Sequence, residues 1–252
     1  MVHHATLRMN TETIVALATA PVKSAIAMIR ISGPLVRPIA EAILKQIPKP
    51  RYAFYGYFYD EKHQPIDNGL AIFFPNPHSF TGEDVLELQC HGSPIITELL
   101  IKRIIALGAR LARPGEFAET AFLNGKIDLT QAEAIADLIE SQSVQAARCA
   151  LRSLQGDFSK RVNQINQEVI HIRTYVEAAI DFVDEEIDFL NSYQVQEKIT
   201  TIAALLKELL IEAEKGAMLK NGFTIAIAGK PNVGKSSLLN QLAQKEVAIV
   251  TH

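Results

Sequence analysis

Between about residue 126 and residue 216 the chain contains no proline and almost no glycine. Proline removes an amide hydrogen and clashes with the preceding turn of a helix, and glycine loses the most backbone freedom on ordering. A stretch this long without them is free to form long helices. It opens with "DLTQAEAIADLIESQSVQAARCALRSLQG", where Thr130 followed three residues later by Glu133 reads as a capping box. Leu129, Ile135, Leu138, Ile139 and Val144 then recur at helical spacing. "DFSKRVNQINQEVIHIRTYVEAAIDFVDEEIDFL" and "YQVQEKITTIAALLKELLIEAEKGAML" continue the texture. The segment predicts three long helices packed in a bundle.

Residues 1 to about 125 are mixed. "TIVALAT" and "AIAMIRIS" are short apolar runs bounded by proline and glycine, and predict strands. "PLVRPIAEAILKQI" predicts a helix with Ile39, Ala42, Ile43 and Ile47 on one face. "RYAFYGYFYD", "GLAIFFP" and "EDVLELQCHG" predict further strands, and "PIITELLIKRIIALG" a helix closed by Gly108. This is an α+β domain. The expected boundaries are 1–125 for it, 126–216 for the helical domain and 217–252 for a third region.

Hydrophobic residues make up 48% of the chain and charged residues 21%, enough apolar content for a packed core. The net charge of −3 argues against a surface covered in nucleic-acid-binding charge. Two cysteines, Cys90 and Cys149, make no disulfide framework and suit a reducing cytoplasm. No apolar run approaches the roughly 18–20 residues of a membrane span. The first residues lack the basic leader and apolar block of a signal peptide, and Met9 is a candidate start after an extension "MVHHATLR".

The third region holds "GFTIAIAGKPNVGKSSLLNQLA", which predicts a buried strand, a loop and a helix. The loop has the pattern Gly229-x-x-x-x-Gly234-Lys235-Ser236. Its glycines let successive N–H groups point inward at phosphate oxygens. Lys235 is placed to reach the outer phosphates, Ser236 to ligate magnesium, and the following helix presents its positive end. Phosphoryl transfer also needs an acidic partner for the metal and a group that orients water. Neither has a place after Ser237, so the chain alone is expected not to turn over GTP.

Several segments together resemble the MnmE (TrmE) family of tRNA-modification GTPases. They are "IRISG" (Ile29–Gly33), "FTGEDVLELQCHG" (Phe80–Gly92), "ARPGEFAETAFLNGKIDLTQAEAIADLI" (Ala112–Ile139), "AAIDFVDEEIDF" (Ala178–Phe189) and "GKPNVGKSSLLNQL". The resemblance covers almost everything from about Thr11 onward. It implies an N-terminal tetrahydrofolate-binding domain, an all-α helical domain, and the first strand, loop and helix of a GTP-binding α/β domain. The family continues with the rest of that domain, further helices and a tail, so the chain is expected to be cut just after the phosphate loop. The implied activity needs a flavoprotein partner, MnmG (GidA). It adds a carboxymethylaminomethyl group to carbon 5 of the wobble uridine of certain tRNAs, in the cytoplasm and away from membranes. The implied cofactors are GTP, Mg2+, K+ and 5-formyl- or 5,10-methylene-tetrahydrofolate, and the implied assembly is a homodimer through the N-terminal domain.

Residue by residue, Arg30, Glu87 and Lys126 match the family's folate-contacting positions. A carboxylate such as Glu87 accepts the paired N–H donors of a pterin, and Arg30 and Lys126 suit its carbonyl or carboxylate oxygens. Asn232, Val233, Gly234, Lys235, Ser236 and Ser237 match the nucleotide loop, with Ser236 on magnesium and Asn232 on potassium. No residue is assigned a catalytic role. One departure is "PVKSAIAMIRISG", which lacks the glycines the family carries before "RISG". Two rival functions remain at this stage. A folate-dependent aminomethyltransferase-like enzyme would act on a free amine, and a non-catalytic dimerisation scaffold would bind neither ligand.

Three other features read as structural. Cys90 and His91 are strand neighbours pointing to opposite faces, so they cannot pair. Asp181, Asp184, Glu185, Glu186 and Asp188 suit a solvated acidic helix end better than a cation site. The aromatic run "RYAFYGYFYD" has no interleaved lysine or arginine and reads as core and interface packing.

Overall fold

The computed structural model describes residues 12–181, 193–221, 226–230 and 233–243. The chain divides into two compact units between Gln167 and Glu168.

The first unit opens with β1 (Ile14–Leu17) and β2 (Ser24–Ser32), followed by α1 (Val36–Leu44). Then come β3 (Phe54–Tyr59), β4 (Pro65–Phe74), β5 (Val85–Gly92) and α2 (Pro94–Ala106). They build a six-stranded mixed sheet in the order β3-β4-β5-β2-β1-β6, closed by the short β6 (Arg110–Leu111) parallel to β1. Every predicted strand and helix of this region is present. The sequence reading missed β6 and α3 (Glu116–Leu123).

Strand alternation explains where the core lies. Ala27, Ile29 and Ile31 on β2, Leu86, Leu88 and Cys90 on β5, and Ala71 and Phe73 on β4 are all buried on one face. Helices α1 and α2 cover that face with Val36, Ile39, Ala40, Ile43, Leu44, Leu100 and Ile104. The expected α1 stripe is therefore corrected. Ile39 and Ile43 are in the core, Ile47 packs against it, and Ala42 is only half-buried while Ala40 and Leu44 are buried. The sheet takes up a wider arc of the helix than a single i, i+4 row supplies.

Gly69 is required by close approach. A Cβ there would lie 1.9 Å from the carbonyl oxygen of Gln89. The β4–β5 ladder ends at Leu70 and Gln89, and the Asp67 carboxylate accepts the next amide, that of His91, at 2.8 Å.

On β3, Phe58 is buried, while Tyr55 and Tyr57 are exposed. The lysines absent from the strand come from elsewhere. Lys45, just after α1, lies 3.6 Å from the Tyr59 ring centroid, and Lys49 lies 4.0 Å from that of Tyr52.

The helical stretch departs from three long helices. The first predicted helix is two, α4 (Leu129–Glu140) and α5 (Val144–Leu154), which pack on each other. Serine side chains explain the break. Ser141 donates to the carbonyl of Leu138, and Ser143 accepts from the amide of Ala146, opening a new helix. Gly156, at φ +82°, ends the pair.

The capping box is also relocated. Asp128, not Thr130, is the N-cap, accepting from the Gln131 amide at 2.9 Å while Gln131 Oε1 accepts from the Asp128 amide at 2.9 Å. An aspartate two residues upstream outcompetes the threonine, whose hydroxyl bonds Asp128 and Ser159 instead. Leu129, Ile139 and Val144 of the predicted stripe are exposed, while Ala134, Ala150 and Ile165 are buried.

Helix α6 (Asp157–Asp181) runs on into the second unit, which also holds α7 (Tyr193–Asn221) and α8 (Lys235–Ala243). Asp181 ends α6, whereas Asp184, Glu185, Glu186 and Asp188 lie outside the described residues, as does Asn232. Among the described residues, no helix is long and apolar enough to cross a membrane.

Leu88 tests the core assignment. It is fully buried between β4 and β2, and Leu88→Ala is expected to cost about 2–5 kcal/mol. Urea unfolding with an unchanged slope and a lowered midpoint checks this; an unchanged midpoint contradicts it.

Candidate functional site

The β2–β5 register sets Arg30 directly opposite Glu87. Their neighbours Ile29, Ile31, Leu86 and Leu88 face the core, so alternation turns this pair to the other side of the sheet. Arg30 donates from Nε to Glu87 Oε1 at 2.9 Å, and its Nη2 lies 2.7 Å from the same oxygen. The side chains are 26% and 15% exposed. A partly exposed pair is worth roughly 0.2–1 kcal/mol, so its main effect is to orient both groups rather than to stabilise the fold.

Two phenyl rings flank the guanidinium. Arg30 Cζ lies 5.7 Å from the centroid of Phe80 and 5.8 Å from that of Phe117, within cation–π range. Phe80 belongs to the loop 75–84 between β4 and β5, and Phe117 to the first turn of α3. Ser32 ties the loop down. Its hydroxyl lies 2.7 Å from Thr81 Oγ1 and 2.7 Å from Glu83 Oε2. Burial raises the Glu83 carboxyl above its ordinary value, with the Ser32 hydroxyl partly opposing. Arg37 holds Asp84 at 2.7 Å.

Lys126 meets the same loop. Helix α3 ends in a Schellman motif: Gly125 sits at φ +65°, the Lys126 amide bonds Ala121 O and the Gly125 amide bonds Phe122 O. This turn directs the Lys126 ammonium to the carbonyl of Pro77 at 2.8 Å, with its stem against Gly82. Asn124 Nδ2 bonds Thr81 O at 2.7 Å. The structure thus joins Arg30 and Glu87 directly, and brings Lys126 to them through loop 75–84.

Glu116 anchors α3. It is buried and receives Arg110 Nη2 at 2.6 Å, Arg110 Nη1 at 2.9 Å and the Arg113 amide at 2.7 Å. These bonds, Arg110's first, outweigh burial and hold its carboxyl down at about 2.

Cys90 and His91 do not pair. The Cys90 thiol faces the core, bonds Ala27 O, and is pushed up to about 11 mainly by burial. His91 Nδ1 lies 2.8 Å from Asp67 Oδ1. Burial raises the Asp67 carboxyl, but the His91 amide and ring more than offset it, and the net shift is downward.

In the second unit Gly234, at φ +92°, delivers the chain into α8 at Lys235. Lys235 Nζ reaches back across the loop to the carbonyls of Gly229 and Lys230, at 2.9 and 2.6 Å. Ser236 and Ser237 lie in the first turn of α8. Of the strand predicted before it, Ala226–Gly229 are irregular. A strand needs a neighbour for its amides and carbonyls, and none of the described strands pairs with this run.

Comparison with known proteins decides the family. Residues 13–126 match the model of the GTP-binding protein TrmE N-terminus, and residues 129–250 match that of the MnmE helical domain. The chain belongs to the MnmE family. The tRNA modification GTPase MnmE of Ectopseudomonas mendocina (strain ymp) is 58% identical over 240 residues, covering 95% of this chain and 53% of that protein. That of Saccharophagus degradans is 55% identical over 241 residues, with 96% and 53% covered. The Sodalis glossinidius protein is 55% identical over 242 residues, again with 96% and 53% covered. The chain spans about half the length of these curated relatives.

In this MnmE-family chain the sequence reading named Arg30, Glu87 and Lys126 but missed Phe80, Phe117 and Glu116. The available signal was "RPGEF". A glycine followed by an acid opens a helix, and the next residue is aromatic.

Glu116 yields a pH prediction. Its carboxyl is near 4.5 unfolded and about 2 folded, so its contribution is full above 4.5 and disappears as pH falls through about 2. Glu116→Gln is expected to cost ~3 kcal/mol at neutral pH. The gap from wild type in urea unfolding should begin to narrow below pH 4.5. A gap independent of pH contradicts the assignment.

Proposed function

We propose that this chain supplies the folate-binding and helical parts, with the phosphate loop, of a tRNA-modification GTPase. In the whole protein, with the flavoprotein MnmG, the reaction adds a carboxymethylaminomethyl group to carbon 5 of the wobble uridine of certain tRNAs, in the cytoplasm. The family match and the relatives' names support the activity. The observation that carries the ligand reading is the Arg30–Glu87 pair.

Tetrahydrofolate, as its 5-formyl or 5,10-methylene form, supplies the one-carbon unit. The residues fit such a group. Arg30 places both of its contacts on Glu87 Oε1, and a carboxylate so held can accept N–H donors of the kind a pterin presents. Arg30 and Lys126 provide positive charge for carbonyl or carboxylate oxygens. At the second site Val233, Gly234, Lys235, Ser236 and Ser237 are assigned to GTP, Ser236 to Mg2+ and Asn232 to both GTP and K+. Gly234 opens the amides of the loop, and Lys235 spans it from Gly229 to the start of α8. Self-association as a homodimer through the first unit completes the reading.

Calorimetric titration with 5-formyltetrahydrofolate tests the folate assignment. Wild type is expected to bind, and Glu87→Gln to weaken binding at least tenfold, the equivalent of about 1.4 kcal/mol. Equal affinity overturns Glu87 as a ligand. A separate phosphate-release assay is expected to show no multiple turnover of GTP by this chain. Saturable release that Lys235→Ala abolishes contradicts that.

A further inference from the structure

We propose that Phe80 and Phe117 are positioning residues that clamp the Arg30 guanidinium between their rings and so aim Glu87. The proposal deepens the folate reading and rests on it for the identity of the ligand.

Neither ring belongs to the hydrophobic core: Phe80 is 36% exposed and Phe117 is half-buried. Core packing therefore does not account for them. What they share is Arg30, at 5.7 and 5.8 Å, although one ring comes from a loop and the other from a helix. An arginine side chain has many rotamers, and a partly exposed ion pair alone holds it weakly. Two aromatic faces within cation–π range add to that hold.

Each ring is itself secured. Phe80 adjoins Thr81, whose hydroxyl lies 2.7 Å from that of Ser32. Phe117 adjoins Glu116, held by Arg110 and by the Arg113 amide. Two anchored elements, a loop and a helix, thus converge on one guanidinium, and through it on one carboxylate oxygen. Lys126, at the other end of α3, meets the loop that carries Phe80. A ligand held by Glu87 and Lys126 would accordingly sense the position of both rings.

The test separates orientation from ligand binding. In the whole chain, hydrogen exchange of the Arg30 Nε–H is followed by NMR for wild type, Phe117→Leu, Phe117→Tyr and Phe80→Leu. Titration with 5-formyltetrahydrofolate is run on the same samples. Leucine keeps apolar bulk and removes the ring face; tyrosine keeps the face. Both leucine variants are expected to speed Arg30 exchange and to weaken binding, each about tenfold, with Phe117→Tyr within twofold of wild type. Should Phe117→Leu fail to fold, Phe80→Leu, on a different element, carries the test. Arg30 exchange unchanged in a folded leucine variant overturns the proposal. Exchange that responds as expected in a wild type that binds no folate upholds the clamp and removes the folate reading instead.

Discussion

The antiparallel register of β2 on β5 is the constraint on which the first unit depends. It pairs Ile29 with Leu88, Arg30 with Glu87 and Ile31 with Leu86. Because side chains alternate, one register decision sends two hydrophobic pairs into the core and one charged pair to the opposite face. A one-residue slip of β2 against a fixed β5 would turn Arg30 toward α1 and α2 and expose Ile29 and Ile31. At about 1.5–3 kcal/mol for each exposed isoleucine, with the cost of burying the guanidinium added, that error would consume much of a typical domain's margin of stability. The site is thus fixed by the core and needs little stability of its own.

This coupling explains which parts were legible in the sequence. "AIAMIRIS" and "EDVLELQCHG" carry their period in plain view, so the strands and their core faces follow from alternation. The phosphate loop was legible for a similar reason, since its glycines and lysine form one short contiguous pattern. Arg30 and Glu87 were named through family resemblance, because their pairing is a register fact joining residues 57 apart. "RPGEF" signalled a helix start with Phe117 beside its acid, but nothing in the sequence signalled that Phe80 and Phe117 meet at Arg30. They come from a loop and a helix that meet only once the chain is folded.

The misplaced cap and the split helix are failures of another kind. Thr130 and Glu133 fit the capping pattern, but so do Asp128 and Gln131, and the reading took the wrong pair. Asp128 satisfies an amide, receives the Thr130 hydroxyl and holds its carboxyl low against the upward pull of burial. Likewise Ser141 and Ser143 interrupt an apolar spacing that would tolerate a continuous helix. Short polar side chains bond their own backbone over a few residues, and such local competition outweighs periodicity when tertiary burial is modest. The exposure of Leu129, Ile139 and Val144 shows that burial is modest here.

Carboxylates around the candidate site illustrate how one residue type is put to different uses. Glu116 is buried yet strongly acidic, because three guanidinium N–H groups, two from Arg110 and one from Arg113, and a backbone amide repay its desolvation. Glu83, half-buried with a single hydroxyl donor, goes the other way and holds its proton more firmly. The first is suited to permanent anchoring of α3 at all moderate pH. The second keeps loop 75–84 attached to β2 through Ser32. Arg30 meanwhile keeps both of its carboxylate contacts on Glu87 Oε1.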